Sequence, residues 1–105
     1  MSSGRLGAAD LAAATLTTLY QVPASTLATF NVNLCNRTAS AIAVRLALST
    51  TDAPAASEYA EYDAEIPAHG VLERTGLVAQ AGMRVVAYAA VAGVSAMAWG
   101  LEEAA

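Results

Sequence analysis

Apolar and polar side chains alternate with a period of two along most of this chain. The clearest examples are residues 26–34 and 41–48, where every second residue is apolar and polar turns lie on either side. This period places successive side chains on opposite faces, so it predicts half-buried β-strands. The side chains predicted to face inward are Ala28, Phe30, Val32 and Leu34 in the first strand, and Ile42, Val44, Leu46 and Leu48 in the second.

Further segments of the same kind are separated by turns rich in Gly, Pro, Asn, Asp and Ser. They predict strands over residues 15–22, 58–66, 71–78, 83–90 and 94–101, and no segment has a convincing helical period. Seven or eight short strands, with a turn every eight to twelve residues, are typical of an all-β protein. The predicted fold is a single antiparallel β-sandwich or a jelly-roll-like barrel spanning residues 15–103.

The two ends of the chain are predicted to lie outside the sandwich. Residues 1–14 are small, polar or alanine-rich, so we expect a flexible N-terminal arm that orders on docking. Asp10 is a candidate cap for one helical turn ending at Ala14, although so short a helix is marginal in water. Residues 104–105 are expected to form a tail. No signal-peptide core is visible, so we expect synthesis in the cytoplasm without a secretion signal.

Composition changes the interpretation of the outward-facing positions. The chain has 105 residues, of which 27 are alanine and none is lysine, and only 13% are charged, against about 25% in typical soluble domains. Alanine favours helices by some tenths of a kcal/mol per residue, but here it alternates with larger apolar residues on predicted strands. Small, uncharged outer faces fit a surface buried in an oligomer or assembly, whereas the alternative is a small core built from small residues.

The same composition excludes several chemistries. A net charge of −4 argues against a nucleic-acid binder, and no apolar run reaches the ~20 residues that span a bilayer. Cys35 and His69 are the only residues of their types, so neither an internal disulfide nor a structural zinc site is expected. We interpret Cys35, with Arg37 on the same strand face, as a structural thiol and His69 as a turn residue. The prediction is a protein that is not an enzyme and holds no cofactor or metal.

Charged and aromatic residues supply the candidate contacts. Glu58, Glu61, Asp63 and Glu65 are predicted to share one strand face, which is solvated or paired with arginines. Calcium binding is the alternative. Pairing with Arg74 or Arg84 of a neighbouring subunit would be suited to an interface. Trp99 and the tyrosines are predicted to pack in the core or an interface, and a sugar-binding platform is the alternative. The predicted interface residues are Ala41, Ala43, Arg45, Ala47, Glu61, Asp63, Arg74, Arg84 and Trp99.

Several motifs occur in order along the chain. They are LYQVPA (residues 19–24), FNVNLCNR (30–37), VRLAL (44–48), EYAEYD (58–63), IPAHGVLERTG (66–76) and AWGLEE (98–103). Together they resemble a group of short proteins found among the structural genes of tailed bacteriophages. Two positions depart from that group, since His69 stands where Asn is usual and Trp99 where Tyr is common.

The resemblance implies a non-enzymatic virion structural protein, made in the host cytoplasm and carried in the virion. Its first expectation is a capsid decoration, or cement, protein that stabilises the head by oligomeric surface burial. It would be a homo-oligomer, a trimer or a dimer, that contacts the major capsid protein or other virion proteins, with no nucleic-acid or membrane partner. A tail, neck, baseplate or fibre component is one alternative, and a carbohydrate-binding or host-adhesion module is another.

Overall fold

Eight β-strands follow one another through residues 3–104, the part of the chain that this computed structural model describes. A 3-10 turn at Ala56–Glu58 precedes the fifth strand. The seven strands predicted from the sequence are all present, with ends that coincide or differ by up to three residues. The strands are β1 (Ser3–Leu11), β2 (Thr17–Gln21), β3 (Thr26–Asn36), β4 (Ile42–Ser49), β5 (Tyr59–Ile66), β6 (Val71–Gln80), β7 (Arg84–Ala89) and β8 (Val94–Ala104).

The strands form two four-stranded antiparallel sheets packed face to face. Sheet A has the order β1-β8-β3-β6, and sheet B has the order β2-β7-β4-β5. The pairs β1–β8, β2–β7, β3–β6 and β4–β5 are those of one long hairpin folded over on itself. This is the connectivity of an eight-stranded jelly roll. The predicted fold class is confirmed.

The core lies between the sheets and is built from the inner face of each strand. The inward-facing sets predicted for β3 and β4 are confirmed, with Leu48 only partly buried at the end of its strand. The inward-facing residues of β3 and β4 are paired mostly with glycine and alanine on β8 and β7. These small neighbours leave space for the larger side chains of β3 and β4 between the two sheets. The fully buried residues of this core include Leu11, Phe30, Leu34, Leu46, Ile66, Val85 and Val94.

The prediction of an N-terminal arm is wrong for the residues that the structure describes. Ser3–Leu11 is strand β1, which pairs with β8 along its length, and Leu11 is fully buried. Asp10 lies in the strand and caps no helix, while Ala13 makes a bridge to Ala89. Small residues hide the alternation of this segment, and pairing with β8 rather than side-chain pattern makes it a strand.

Gly7 shows why this segment needs small residues. A Cβ atom at Gly7 would lie 2.1 Å from the carbonyl oxygen of Leu19 in β2. The two sheets therefore meet at the β1–β2 corner with backbone almost touching backbone, a contact that only glycine allows. At the other end, Ala104 belongs to β8 and not to a tail. Met1, Ser2 and Ala105, also part of the predicted arm and tail, lie outside the described residues.

Strand β5 departs from the predicted alternation because it is bulged twice. Its register against β4 runs from Val44↔Ala64 to Leu46↔Glu61, so β5 has an extra residue there, and Asp63 takes a positive φ of 54°. The bulge turns Glu61 toward the inner side and leaves Tyr62 and Asp63 outside. The expectation that the acidic residues of this strand share one face is therefore wrong.

Candidate interaction surfaces

The outer face of sheet A carries most of the exposed apolar surface. Of the eight large apolar side chains that are exposed within residues 3–104, five lie on this face. Met97 and Leu101 are 43% and 44% exposed, and Val78 is 57% exposed. We call this surface the open face. Its apolar residues are Leu27, Val71, Val78, Met97, Trp99 and Leu101.

Strand β8 generates the open face by simple alternation. Val94, Ala96 and Ala98 point inward and are buried, so Ser95, Met97, Trp99 and Leu101 point outward. Trp99 lies opposite Arg5 on one side and Asn31 on the other, and it is half-buried. Trp99 is thus a surface residue, and the prediction that it packs in the core is wrong.

An open depression of about 360 Å³ lies at one end of the open face. It is lined by Asn33, Cys35 and Met97 together with small residues of β1 and β8.

Arg37 forms an ion pair with Asp10, with its Nη2 atom 2.5 Å from Oδ1. His69 is exposed in the turn between β5 and β6, where its backbone N–H donates to the backbone carbonyl of Thr38.

The outer face of sheet B has the opposite character because a loop lies over it. Val86 of β7 and Ala47 of β4 are cross-strand neighbours on this face, yet both are fully buried. Residues 50–58 hydrogen-bond to Thr18, the cross-strand neighbour of Val86, and to Arg84. From these bonds and from the burial of both side chains we infer that the loop passes over them. We call this surface the covered face. Ala47, predicted as an interface residue, is therefore shielded by the chain's own loop.

Two sets of polar contacts hold the loop in place. The carboxylate of Glu58 accepts from Ser49 Oγ at 3.0 Å and from the backbone N–H groups of Thr50 and Ala55 at 3.1 and 2.8 Å. These backbone hydrogen bonds, led by that from Ala55, lower the pKa of Glu58. The carboxylate of Asp52 accepts from Thr18 Oγ1 and lies 3.2 Å from Nε of Arg84.

On the outer side of β4, an arginine lies between two tyrosine rings, one of which is exposed. The guanidinium of Arg45 lies 4.1 Å from the ring centre of Tyr62 and 4.7 Å from that of Tyr88. Its Nε atom donates to Asp63 at 2.7 Å, a hydrogen bond that raises the pKa of Arg45. Tyr62 also meets Tyr59 edge to face, and it is 60% exposed. Cation–π contact and ion pairing fix the arginine here.

Charges proposed to pair across an interface find partners within the same chain. Arg74 of β6 forms an ion pair with Glu61 of β5, linking the edge of sheet A to the edge of sheet B. Asp63 pairs with Arg45, and Arg84 pairs with Asp52. Of the other predicted interface residues, Ala41 is exposed and Ala43 is half-buried on the outer side of β4.

Two polar residues that the sequence analysis did not single out for a structural role prove important. Asn36 is fully buried and donates from Nδ2 to the carbonyls of Ser40, Ile66 and Pro67. Tyr20, buried in sheet B, donates its hydroxyl to Glu102 of sheet A at 2.5 Å. Burial and this hydrogen bond raise the pKa of Tyr20. Neither role had a sequence signal, because Asn36 lies beyond the predicted end of its strand and no inward face was predicted for residues 15–22.

Comparison with known proteins adds no relative: no family model, no curated protein and no solved structure matches this chain. Within the described residues, no helix is long and apolar enough to cross a membrane, and no group of three or more His, Cys, Asp or Glu residues is placed to hold a metal ion. The two outer faces are therefore the features from which a function has to be argued.

Proposed function

We propose that this protein is a non-enzymatic structural component of a tailed-bacteriophage virion, a capsid decoration protein that stabilises the head by surface burial. The observation that carries the proposal is the open face. It is a broad sheet surface with exposed Met97, Leu101 and Val78, and no part of residues 3–104 covers it. Exposed apolar patches of this kind mark contacts with other proteins.

Burial of the open face would favour an oligomer of this protein directly. Removing apolar surface from water is worth roughly 25 cal/mol per Å². A protein that binds only the assembled head stabilises that head by mass action, which is the action of a cement. The low density of charge on the central strands β3 and β8 limits the desolvation that docking would require.

Two further features support a virion protein. The motifs from LYQVPA to AWGLEE resemble those of short bacteriophage structural proteins. The connectivity is that of a jelly roll, an architecture used by viral capsid domains as well as by lectins and cupins.

The test is the composition and stability of virions from the bacteriophage that encodes this chain. We expect the protein to be present in numbers comparable to the major capsid protein, as measured by quantitative mass spectrometry of purified particles. Particles assembled without it should lose their DNA at a lower temperature. A small fraction of that copy number would indicate a tail, neck, baseplate or fibre component, and unchanged head stability would contradict a cement function.

One observation favours a second candidate, a carbohydrate-binding or host-adhesion module. Tyr62 is 60% exposed and lines an open cavity with Tyr59 and Ala56. Exposed aromatic rings beside polar groups are suited to sugar rings, and Arg45 and Asp63 lie next to this one. Glycan-array binding that is lost in Tyr62→Ala, but kept in Trp99→Ala, would support this candidate over the first.

A further inference from the structure

We infer that the open face binds the open face of a second copy of this chain, forming a two-fold dimer whose axis runs parallel to β3 and β8. The inference deepens the proposed function, on which it rests for the premise that this face is buried in an assembly. It names the partner on that surface.

The open face has the dimensions of a stable interface. Four strands spaced about 4.8 Å apart span about 19 Å, and the eleven residues of β3 or β8 extend about 36 Å. The product is roughly 700 Å² per copy, or about 1,400 Å² in total, within the standard range for specific complexes. The sheet is long enough to supply a dimer interface without any other element.

Strand β8 gives the open face an apolar stripe beside the uncharged threonine and asparagine side chains of β3, and the charges lie at the margins. Met97, Trp99 and Leu101 follow one another along β8, and Val78 lies in the row of Leu101 on β6. Aromatic and methionine side chains surrounded by a polar rim are the composition of interface centres. Two such sheet faces pack with their strand directions within about 30° of each other, as sheets do inside a sandwich.

The edge charges select the two-fold axis. Arg5 lies on β1, at one edge of the sheet, opposite Trp99. Glu73 lies on β6, at the other edge, in the row of Met97. Both side chains are exposed, and neither forms an ion pair with any other residue in the range 3–104. They are thus available to a partner.

An axis parallel to the strands places β1 of one copy over β6 of the other. Arg5 then lies one row from Glu73 of the second copy, a step of about 6.8 Å along the strand, which an extended arginine side chain covers. Two-fold symmetry makes the same pair twice, once at each edge. An axis perpendicular to the strands would instead place β1 over β1 and Arg5 near its own copy. Charge complementarity therefore favours the parallel axis.

The test is charge reversal and exchange in the full chain, with dimerisation measured by sedimentation velocity and equilibrium at low salt. We expect the wild type to dimerise, and Arg5→Glu and Glu73→Arg each to weaken the dimer by about tenfold or more. The double variant Arg5→Glu/Glu73→Arg restores both pairs with their signs exchanged, so it should dimerise nearly as well as the wild type. Circular dichroism checks that all variants are folded.

Glu65→Arg is the matched control, because Glu65 is exposed on the outer side of β5 and forms no ion pair within residues 3–104. It should leave the dimer unchanged. A wild type that stays monomeric at its highest soluble concentration, a trimer, or a double variant no tighter than the single ones would overturn the inference. None of these results decides whether the protein is present in virions, so failure of the dimer and failure of the proposed function are distinguishable.

Discussion

The two outer faces of this sandwich both carry apolar outward side chains, but these are buried on one face and exposed on the other. On the covered face, Ala47 and Val86 are sealed beneath a loop. On the open face, Met97 and Leu101 occupy equivalent outward positions and remain exposed. Strand alternation determines which side chains point outward, but the connections decide which outward side chains meet water. The β4–β5 connection folds back over sheet B, whereas within residues 3–104 no connection does so over sheet A.

Replacing the buried Val86 with aspartate, compared with the same change on the open face, should give the largest difference in stability between the two faces. Val86→Asp places an unpaired charge under the loop, which is expected to destabilise the fold by about 3–5 kcal/mol. Met97→Asp, at an exposed outward position, should change stability by about 0.5 kcal/mol or less. Urea denaturation of dilute protein measures both. Equal effects would show that the loop does not shield Val86.

An intermediate effect is expected from enlarging a small side chain on each face. Ala47→Leu overfills the space beneath the loop, so it should cost about 1–3 kcal/mol. Ala8→Leu adds the same volume to the open face, where Ala8 is exposed on the outer side of β1. We expect Ala8→Leu to leave the unfolding midpoint nearly unchanged. A similar loss from both variants would contradict the assigned difference in packing.

The smallest effect should come from Glu58 and depends on pH. Because its pKa is lowered in the folded state, the carboxylate stabilises the loop fully above its unfolded pKa, and this contribution disappears as pH falls through the folded pKa. Glu58→Gln cannot accept the same set of N–H donors, so it should lower the melting temperature at neutral pH. The gap between variant and wild type should narrow on acidification. Glu65→Gln is the control. A gap independent of pH would argue against a stabilising role for the hydrogen bonds that the Glu58 carboxylate accepts.

Much of the sandwich follows from local pattern. Phe30, Val32 and Leu34 alternate with polar residues over a full strand, and that periodicity is independent of what the strand packs against. The turn at residues 67–70 is equally local, since proline presets its own φ and glycine follows. These elements were predictable because the information lies within a few consecutive residues.

Strand β1 and the bulge of β5 were not predictable in the same way. Ser3–Leu11 has too few large side chains to show a period, and its strand conformation comes from hydrogen bonds to β8, more than eighty residues away along the chain. Asp63 takes a positive φ within a regular alternation. That bulge decides that Glu61 meets Arg74 and that Tyr62 is exposed, so the aromatic part of the covered face depended on a feature with no sequence signal.

By itself, the sequence determined that this is an all-β sandwich, which side chains of its central strands form the core, and that the chain is unusually poor in charged residues. Only the tertiary structure decided which outward face is open. The physical reason is that strand periodicity is a local property, whereas shielding depends on where a loop returns. That return is held by contacts such as Asp52 with Thr18 and Arg84, which join residues more than thirty positions apart.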